Sequence, residues 1–387
     1  MPIDDPIPLS LSGERLSAVY RIQAADEDAA LACARDICLE QTVEFPDALI
    51  PNAAIRDQIV GAVVGIAAAG AGAWDVAIHY PVEAAGGELT QLVNLLFGNV
   101  ALQPGVRLMD FRLPEGMLAG CRGPRFGIAG LRERLGVHDR PLLCTALKPM
   151  GLSPRALAAL AYALALGGID LIKDDHGLAD QPFCPFDERV ARCAEAVQRA
   201  NRETGRHCLY LPNVTAPTHL VQARARAARD AGAGGLLFCP GLAGLDTMRL
   251  LAADDGLGLP VLSHPAFIGG LAVSPTAGLS HAVLYGRLNR LAGADAAIFP
   301  HLGGRFTFTA EDCRSIHASC TDAMAGLAPI FPVPAGGMRL ARVRELCDFY
   351  GREVMLLIGG DLHALAPGED LIQRCRRFVA LAGAGSG

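Results

Sequence analysis

The chain has 387 residues, of which 51% are hydrophobic and 19% are charged, so we predict one or two domains with a large core and exclude disorder. The net charge of -6 and the pI near 5.9 lack the basic character of nucleic-acid-binding proteins. No C-x-x-C pair, no signal-peptide core and no apolar stretch long enough for a bilayer is present, so we expect a cytoplasmic protein with no nucleic-acid or membrane partner.

The N-terminal third of the chain mixes short strands with helices. Short apolar runs indicate strands, and apolar residues at helical spacing indicate helices. The predicted strands are residues 16–22, 74–80 and 107–113, and the predicted helices are residues 26–38 and 88–97. This mixture is typical of an α+β layer, so we predict an N-terminal α+β domain over residues 1–135.

Residues 136–387 follow a more regular pattern, in which short apolar runs alternate with segments of helical period. Eight strand–helix units over this length are typical of a (β/α)8 TIM barrel. A doubly wound open sheet is the alternative architecture. The eight predicted strands are residues 142–147, 168–173, 208–211, 235–239, 260–263, 296–299, 329–333 and 354–358.

The second predicted barrel strand ends in a dense group of polar residues, which are Lys173, Asp174, Asp175 and His176. Because side chains alternate faces along a strand, Lys173 and Asp175 should point to one side and Asp174 to the other. Burying an ammonium and a carboxylate together is costly unless they pair or bind a metal. The segment is therefore a predicted functional site.

Two further residues follow predicted strands at the end of the barrel where active sites lie. Lys148 follows the first strand and His264 follows the fifth. We predict a catalytic role for both residues. The alternative interpretations are a surface lysine that neutralises a carboxylate, and a histidine that is buried for packing.

The last three strands are followed by residues suited to a phosphate group. Arg305, after the sixth strand, can bind phosphate with two nitrogens, although a solvated surface arginine is the alternative. Glycine pairs let backbone N–H groups approach an anion, although most such pairs are turns. The pairs after the seventh and eighth strands are Gly336 and Gly337, and Gly359 and Gly360.

Taken together, several segments resemble the RuBisCO superfamily, and specifically the RuBisCO-like proteins. Residues 140–149 resemble the family's motif on the first barrel strand. Residues 168–175, followed by 181–183, resemble its metal motif on the second strand. In the N-terminal domain, residues 98–100 and Glu40 fall where the family has residues that reach a neighbouring subunit.

The resemblance implies a set of roles for these residues. Lys173 would be carbamylated by CO₂, and the carbamate would bind Mg²⁺ together with Asp175. Lys148 would be the acid–base or enolate-stabilising lysine beside the metal. The family's dimer places the positions of Asn99 and Glu40 over the barrel of the partner, which implies a homodimer or larger assembly with Asn99 in the active site.

The sequence also departs from the carboxylase pattern. His176 stands where the family has a glutamate ligand, so His176 is a predicted but less suitable ligand for Mg²⁺. Met150 replaces a second lysine, and Pro265 replaces a phosphate-binding arginine. Residues 301–306 replace the mobile lysine loop. These losses exclude CO₂ fixation on ribulose bisphosphate.

By this resemblance, the chain retains the first half of the carboxylase reaction. That half is metal-dependent enolisation of a phosphorylated small molecule. We predict isomerisation of a phosphorylated keto sugar of the 5-methylthioribulose 1-phosphate type. The alternatives are decarboxylation of a phosphorylated β-keto sugar acid of the 3-oxo-isoapionate 4-phosphate type, and a non-catalytic binding protein.

Overall fold

The computed structural model describes residues 9–118, 121–306, 308–324 and 326–383. The chain divides into two compact units. The first ends at Arg122 and also includes Ile268–Leu284, and the second consists of Gly123–Phe267 and the chain from Tyr285 onward. These units are defined by compactness, and the division into domains after residue 135 remains a prediction from the sequence. Within the described ranges, no helix has the length and apolarity needed to cross a membrane.

The strands of the described residues are numbered in chain order. They are β1 (Arg15–Gln23), β2 (Ala62–Gly70), β3 (Ala73–Pro81), β4 (Val106–Arg112), β5 (Leu142–Leu147), β6 (Leu171–Asp174), β7 (Leu209–Leu211), β8 (Leu236–Phe238), β9 (Val261–Ser263), β10 (Gly278–Leu279), β11 (Ala296–Pro300), β12 (Phe331–Ala335) and β13 (Met355–Leu357).

The α-helices are numbered in the same way. They are α1 (Glu27–Glu40), α2 (Ala53–Gln58), α3 (Leu89–Phe97), α4 (Glu115–Leu118), α5 (Gly127–Leu135), α6 (Pro154–Leu166), α7 (Phe186–Thr204), α8 (Thr218–Asp230), α9 (Pro240–Ala243), α10 (Leu245–Ala253), α11 (Leu288–Leu291), α12 (Ala310–Thr321), α13 (Val343–Tyr350) and α14 (Leu371–Gly383).

The first unit is built on a five-stranded sheet with the order β10-β4-β1-β3-β2. Strand β1 alternates buried and half-exposed residues, as expected for a strand with one face against a core. Helix α1 begins where the Asp26 carboxylate accepts the Ala29 N–H at 2.8 Å. The predicted strands and helices of this region are all present, and β2 is an additional strand that the prediction missed.

The second unit is the predicted barrel. Eight parallel strands form two four-stranded arrays, β13-β5-β6-β7 and β12-β11-β9-β8. A bridge between Asn213 and Leu237 joins β7 to β8, and β12 lies beside β13. All eight predicted strands are present, which confirms the (β/α)8 barrel with an N-terminal α+β unit and excludes the open sheet.

One end of the barrel is closed by α5. Ile128, Leu131 and Leu135 of this helix belong to the same buried cluster as Phe331 and Val333 of β12. Because the strands are parallel, their carboxyl ends all lie at the opposite end, here called the mouth. The mouth is therefore the end of the barrel that α5 does not cover.

Candidate active site

Lys173 is the last residue of β6 to face the barrel interior, and it is 3% exposed. Its Nζ donates to the Asp174 carbonyl oxygen at 3.0 Å. Burial lowers the pKa of the Lys173 ammonium, because the charged form loses its hydration. A neutral amine at this position can react as a nucleophile, which a surface lysine cannot do readily at neutral pH.

Asp174 points away from the mouth, as the alternation of the strand predicted. Its carboxylate is fully buried and accepts from Arg189 Nε at 3.0 Å. It also accepts from the Tyr210 hydroxyl at 2.8 Å and from the Asn213 backbone N–H at 3.0 Å. Asp174 is therefore fully hydrogen-bonded behind the strand and holds the strand end in place.

Asp175 follows β6 and forms an ion pair with Lys148, which follows β5. Its Oδ1 also accepts the Gly177 backbone N–H at 3.0 Å. Burial alone would raise the pKa of Asp175, but the hydrogen bonds from Lys148 and Gly177 hold that pKa below its ordinary value. The mouth thus carries an ionised carboxylate that is paired with Lys148.

His176 and His264 stack at the mouth, with their ring centroids 4.2 Å apart. The Nδ1 of His264 accepts the Ala266 backbone N–H at 3.1 Å. Burial, followed by the charge of Lys173, lowers the pKa of His264 to about 2. A neutral ring that accepts at Nδ1 carries its proton on Nε2, so His264 is fixed as a hydrogen-bond donor at that atom.

The predicted phosphate residues after β11 and β12 lie together. The Arg305 backbone N–H donates to the Gly336 carbonyl oxygen at 2.8 Å. Gly336 and Gly337 have φ values of 90° and 100°, and a Cβ on Gly337 would lie 3.1 Å from Arg305 Cγ. Close packing of the two loops is thus one reason for glycine here, and the phosphate role stays a prediction.

The second glycine pair follows β13, the strand between β12 and β5, and lies beside Lys148. A Cβ on Gly359 would lie 3.8 Å from Lys148 Cε, whereas Gly360 has open space around it. Asn99 belongs to the first unit, where its Nδ2 donates to Glu40 Oε1 at 2.9 Å. The two predicted residues of the N-terminal domain are therefore paired with each other, and their reach into a partner's site stays a prediction.

One informative signal was present in the sequence and was not used in the prediction. The chain has 34 lysine and arginine residues in total, and Lys148 and Lys173 are its only lysines. Both belong to the mouth, and Lys148 pairs with Asp175. Arginine cannot be neutralised in a protein, whereas lysine can. A chain that otherwise uses arginine thus has lysine at the two positions for which a proton-transfer or carbamate role is predicted.

The mouth offers only some of the ligands that a divalent cation requires. Across the described ranges, no three His, Cys, Asp or Glu side chains cluster in a way that could hold a metal. Asp175 and His176 supply two donors, with His176 Nδ1 3.5 Å from Asp175 Oδ1. A carbamate on Lys173 would supply further oxygen ligands. The lowered pKa of Lys173 favours the neutral amine that can add CO₂. The donor set fits the predicted Mg²⁺ when Lys173 carries that group.

The chain is similar in sequence and in structure to several known proteins. Residues 127–369 match the family of the ribulose bisphosphate carboxylase large chain, catalytic domain. A 5-methylthioribulose-1-phosphate isomerase from Rhodospirillum rubrum is 41% identical over 375 residues, which cover 96% of this chain and 98% of the relative. A 2,3-diketo-5-methylthiopentyl-1-phosphate enolase from Geobacillus thermodenitrificans is 37% identical over 291 residues, 74% of this chain and 70% of the relative. The crystal structure of a Rubisco-like protein from Rhodopseudomonas palustris has a TM-score of 0.85 and 39% identity, and the match covers 95% of this chain and 97% of that one.

Proposed function

The chain belongs to the ribulose bisphosphate carboxylase large-chain family as a RuBisCO-like enzyme, and on that premise we propose that it isomerises a phosphorylated keto sugar through an enediolate. The proposed substrate is of the 5-methylthioribulose 1-phosphate type, the compound in the name of the relative that is 41% identical. Carboxylation is not part of the proposal.

The observation that carries the proposal is the grouping of Lys148, Lys173 and Asp175 at the mouth. Lys148 is paired with Asp175 and its side chain remains 41% exposed, so its ammonium can reach a substrate. Lys173 is buried beside them. An enolising site needs a proton donor at the carbonyl oxygen and a group that moves a proton between neighbouring carbons.

In this site, His264 and Lys148 would divide the proton work. The neutral His264 presents Nε2–H, a donor that suits the oxygen on which negative charge develops. Lys148, acting as the amine, would take the proton from the carbon beside the carbonyl while the electron pair moves to the carbonyl oxygen. It would return that proton to the former carbonyl carbon, and the proton of the adjacent hydroxyl would move to the first oxygen, so the composition of the sugar phosphate is unchanged. Arg305 and the two glycine pairs would hold the phosphate.

The cofactor in the proposal is Mg²⁺, held by Asp175, His176 and a carbamate on Lys173. When bound, the ion would polarise the substrate's carbonyl group. The carbamate forms when the neutral Lys173 amine adds CO₂ and releases one proton. The homodimer, and a place for Asn99 in the partner's site, remain part of the proposal on the strength of the family resemblance.

The test is turnover of 5-methylthioribulose 1-phosphate in D₂O with Mg²⁺ and bicarbonate, followed by NMR. Isomerisation with solvent deuterium at the enolised carbon, and without CO₂ release, is the expected result. Turnover of 2,3-diketo-5-methylthiopentyl 1-phosphate instead would point to the enolase activity named for the 37% identical relative. Release of CO₂ from a phosphorylated β-keto sugar acid would replace both with decarboxylation. No turnover of any of these compounds would leave the binding-protein alternative.

A further inference from the structure

The carboxyl end of α3 is held by side chains from two other parts of the first unit. The last turn of a helix leaves its carbonyl oxygens without partners inside the helix. Gln41, which follows α1, donates from Nε2 to the Asn94 and Leu95 carbonyl oxygens at 2.8 and 2.9 Å. The Tyr20 hydroxyl of β1 donates to the Leu96 carbonyl oxygen at 2.7 Å. The end of α3 is therefore fixed by donors that lie far from it in the sequence.

The same Gln41 amide also holds the segment that follows α3. Its Oε1 accepts the Val100 N–H at 2.9 Å, and Gln41 is 8% exposed. The amide nitrogen and the amide oxygen are thus both hydrogen-bonded, in a place where an unpaired amide would be costly. A Cβ on Gly98 would lie 2.5 Å from the Asn94 carbonyl oxygen, so glycine is required at this turn. The path of the chain into Asn99–Leu102 is fixed by these buried contacts.

The residues next to these anchors form a pair at the surface. Glu40 directly precedes Gln41, and Asn99 directly precedes Val100. Asn99 is exposed, Glu40 is half-buried, and Asn99 Nδ2 donates to Glu40 Oε1 at 2.9 Å. Such a pair contributes little to stability, because two side chains lose freedom in a place where water competes for them. Gln41 joins the two stretches of backbone from which the pair projects, and it therefore determines where both side chains can reach.

We propose that Gln41 is a positioning residue, which holds Asn99 and Glu40 in place for a substrate bound in the barrel of the partner subunit. This inference rests on the proposed function for the place of Asn99 in a partner's site. Gln41 itself is buried and would touch no substrate. It would act through the backbone at Val100, and a displacement of about 1 Å in a positioning group can lower a rate about 10²-fold.

Hydrogen exchange on the full chain tests the anchoring without any substrate. Gln41→Met keeps a long unbranched side chain and removes the three hydrogen bonds of the amide. We expect amide exchange in residues 98–102, measured by mass spectrometry, to become about 10-fold faster or more. Asp26→Ala is the matched control, because it removes the cap at the other end of α1 and should leave exchange in residues 98–102 unchanged. Unchanged exchange in Gln41→Met overturns the proposal.

A double-mutant cycle separates positioning from a general structural role. With 5-methylthioribulose 1-phosphate, Mg²⁺ and bicarbonate, we expect Gln41→Met to lower kcat about 10- to 100-fold and Asn99→Ala to lower it as much or more. Adding Gln41→Met to Asn99→Ala should then cost about twofold or less, since the residue to be positioned is already lost. Additive losses, or a wild-type rate in Asn99→Ala, would mean that Gln41 does not act through Asn99 and would overturn the proposal.

Mixed dimers distinguish this proposal from the proposed function. In a shared site, a dimer of one Lys173→Met chain and one Gln41→Met chain keeps one site with both parts intact, so we expect about half the wild-type rate. If the cycle shows coupling but the mixed dimer gains no activity, Asn99 acts within its own chain. The shared site then fails, and the positioning by Gln41 stands. If the wild type turns over no substrate while exchange is faster in Gln41→Met, the proposed function fails and the anchoring of residues 98–102 stands.

Discussion

The two ends of the barrel both bury charged side chains, but they satisfy them differently. At the closed end, the Asp170 carboxylate accepts from Arg140 Nη1 at 2.7 Å, from Arg140 Nη2 at 2.9 Å and from the Leu143 N–H at 2.8 Å. Asp295 there accepts three backbone N–H groups, from Phe126, Gly127 and Val261. These carboxylates have a partner for each oxygen.

At the mouth, the charges have fewer fixed partners. The buried Lys173 amino group donates to one backbone carbonyl oxygen in the structure, and Lys148 combines its ion pair with 41% exposure of its side chain. A group held by a complete set of partners contributes to stability, whereas a group with spare hydrogen-bonding capacity can act on a ligand. Substitutions at the two ends should therefore separate folding from activity.

The largest expected effect is the loss of activity in Lys173→Met. The variant keeps the apolar stem of the side chain and removes the amine that the proposed chemistry needs, so we expect the rate to fall about 10³-fold or more. The free energy of unfolding should stay within about 1 kcal/mol of the wild type or increase, because a polar amino group in a buried position is removed. Steady-state kinetics and urea unfolding measure the two quantities.

The scarcity of lysine provides a control for Lys173→Met. With ¹³CO₂, the only side-chain amines that can form a carbamate are those of Lys148 and Lys173. We expect a ¹³C NMR side-chain carbamate signal, resolved from that of the α-amino group, that Lys148→Met retains and Lys173→Met lacks. A side-chain signal that survives in Lys173→Met, or a rate within tenfold of the wild type, would show that Lys173 is not the reactive amine.

The next effect belongs to the closed end, where Asp170→Ala should mainly reduce stability. The substitution leaves the largely buried Arg140 guanidinium and the Leu143 N–H without their acceptor, and losing one partner of a buried pair costs about 3–5 kcal/mol. Arg192→Ala breaks an exposed pair with Glu188 and should change the unfolding free energy by about 0.5 kcal/mol or less. Equal losses in the two variants, measured by urea unfolding, would show that the buried pair at the closed end contributes no more than an exposed one.

The sequence predicted the barrel well because its strands are buried on both faces and appear as continuous apolar runs. All six residues of β5 are buried, for example. Strand β2 was missed because it contains small residues, and all of its residues are exposed or half-exposed, so it has no buried face. Its pairing with β3 is a long-range property that local pattern does not contain.

At the site, the sequence predicted what depends on neighbours along the chain. The opposite faces of Lys173 and Asp174 follow from the two-residue period of a strand. The stack of His176 on His264 depends on the closure of the barrel. The same holds for Arg189, which looks like a surface residue of an amphipathic helix but is fully buried against Asp174.

The smallest expected effect is a pH dependence of stability that arises at Asp295. Burial raises the pKa of Asp295 to about 6, in spite of its three backbone donors. Since the folded protein then binds a proton that the unfolded chain releases near pH 4, the contribution of Asp295 to stability is present below about pH 4 and is lost as the pH rises through about 6. The full change is about 3 kcal/mol or less.

Asp295→Asn removes the titrating group while its amide oxygen still accepts from Phe126 and Gly127. The difference in unfolding free energy between the wild type and Asp295→Asn should therefore move against the wild type between pH 4 and pH 7, by about 1–3 kcal/mol in urea titrations. Asp230→Asn, at an exposed aspartate beside Arg229, is the matched control, because it removes a carboxylate that is not buried. A constant difference for Asp295→Asn would mean that the three N–H donors keep the Asp295 carboxylate ionised over this pH range. The buried carboxylate at the closed end would then be fully stabilised as an anion by its hydrogen bonds.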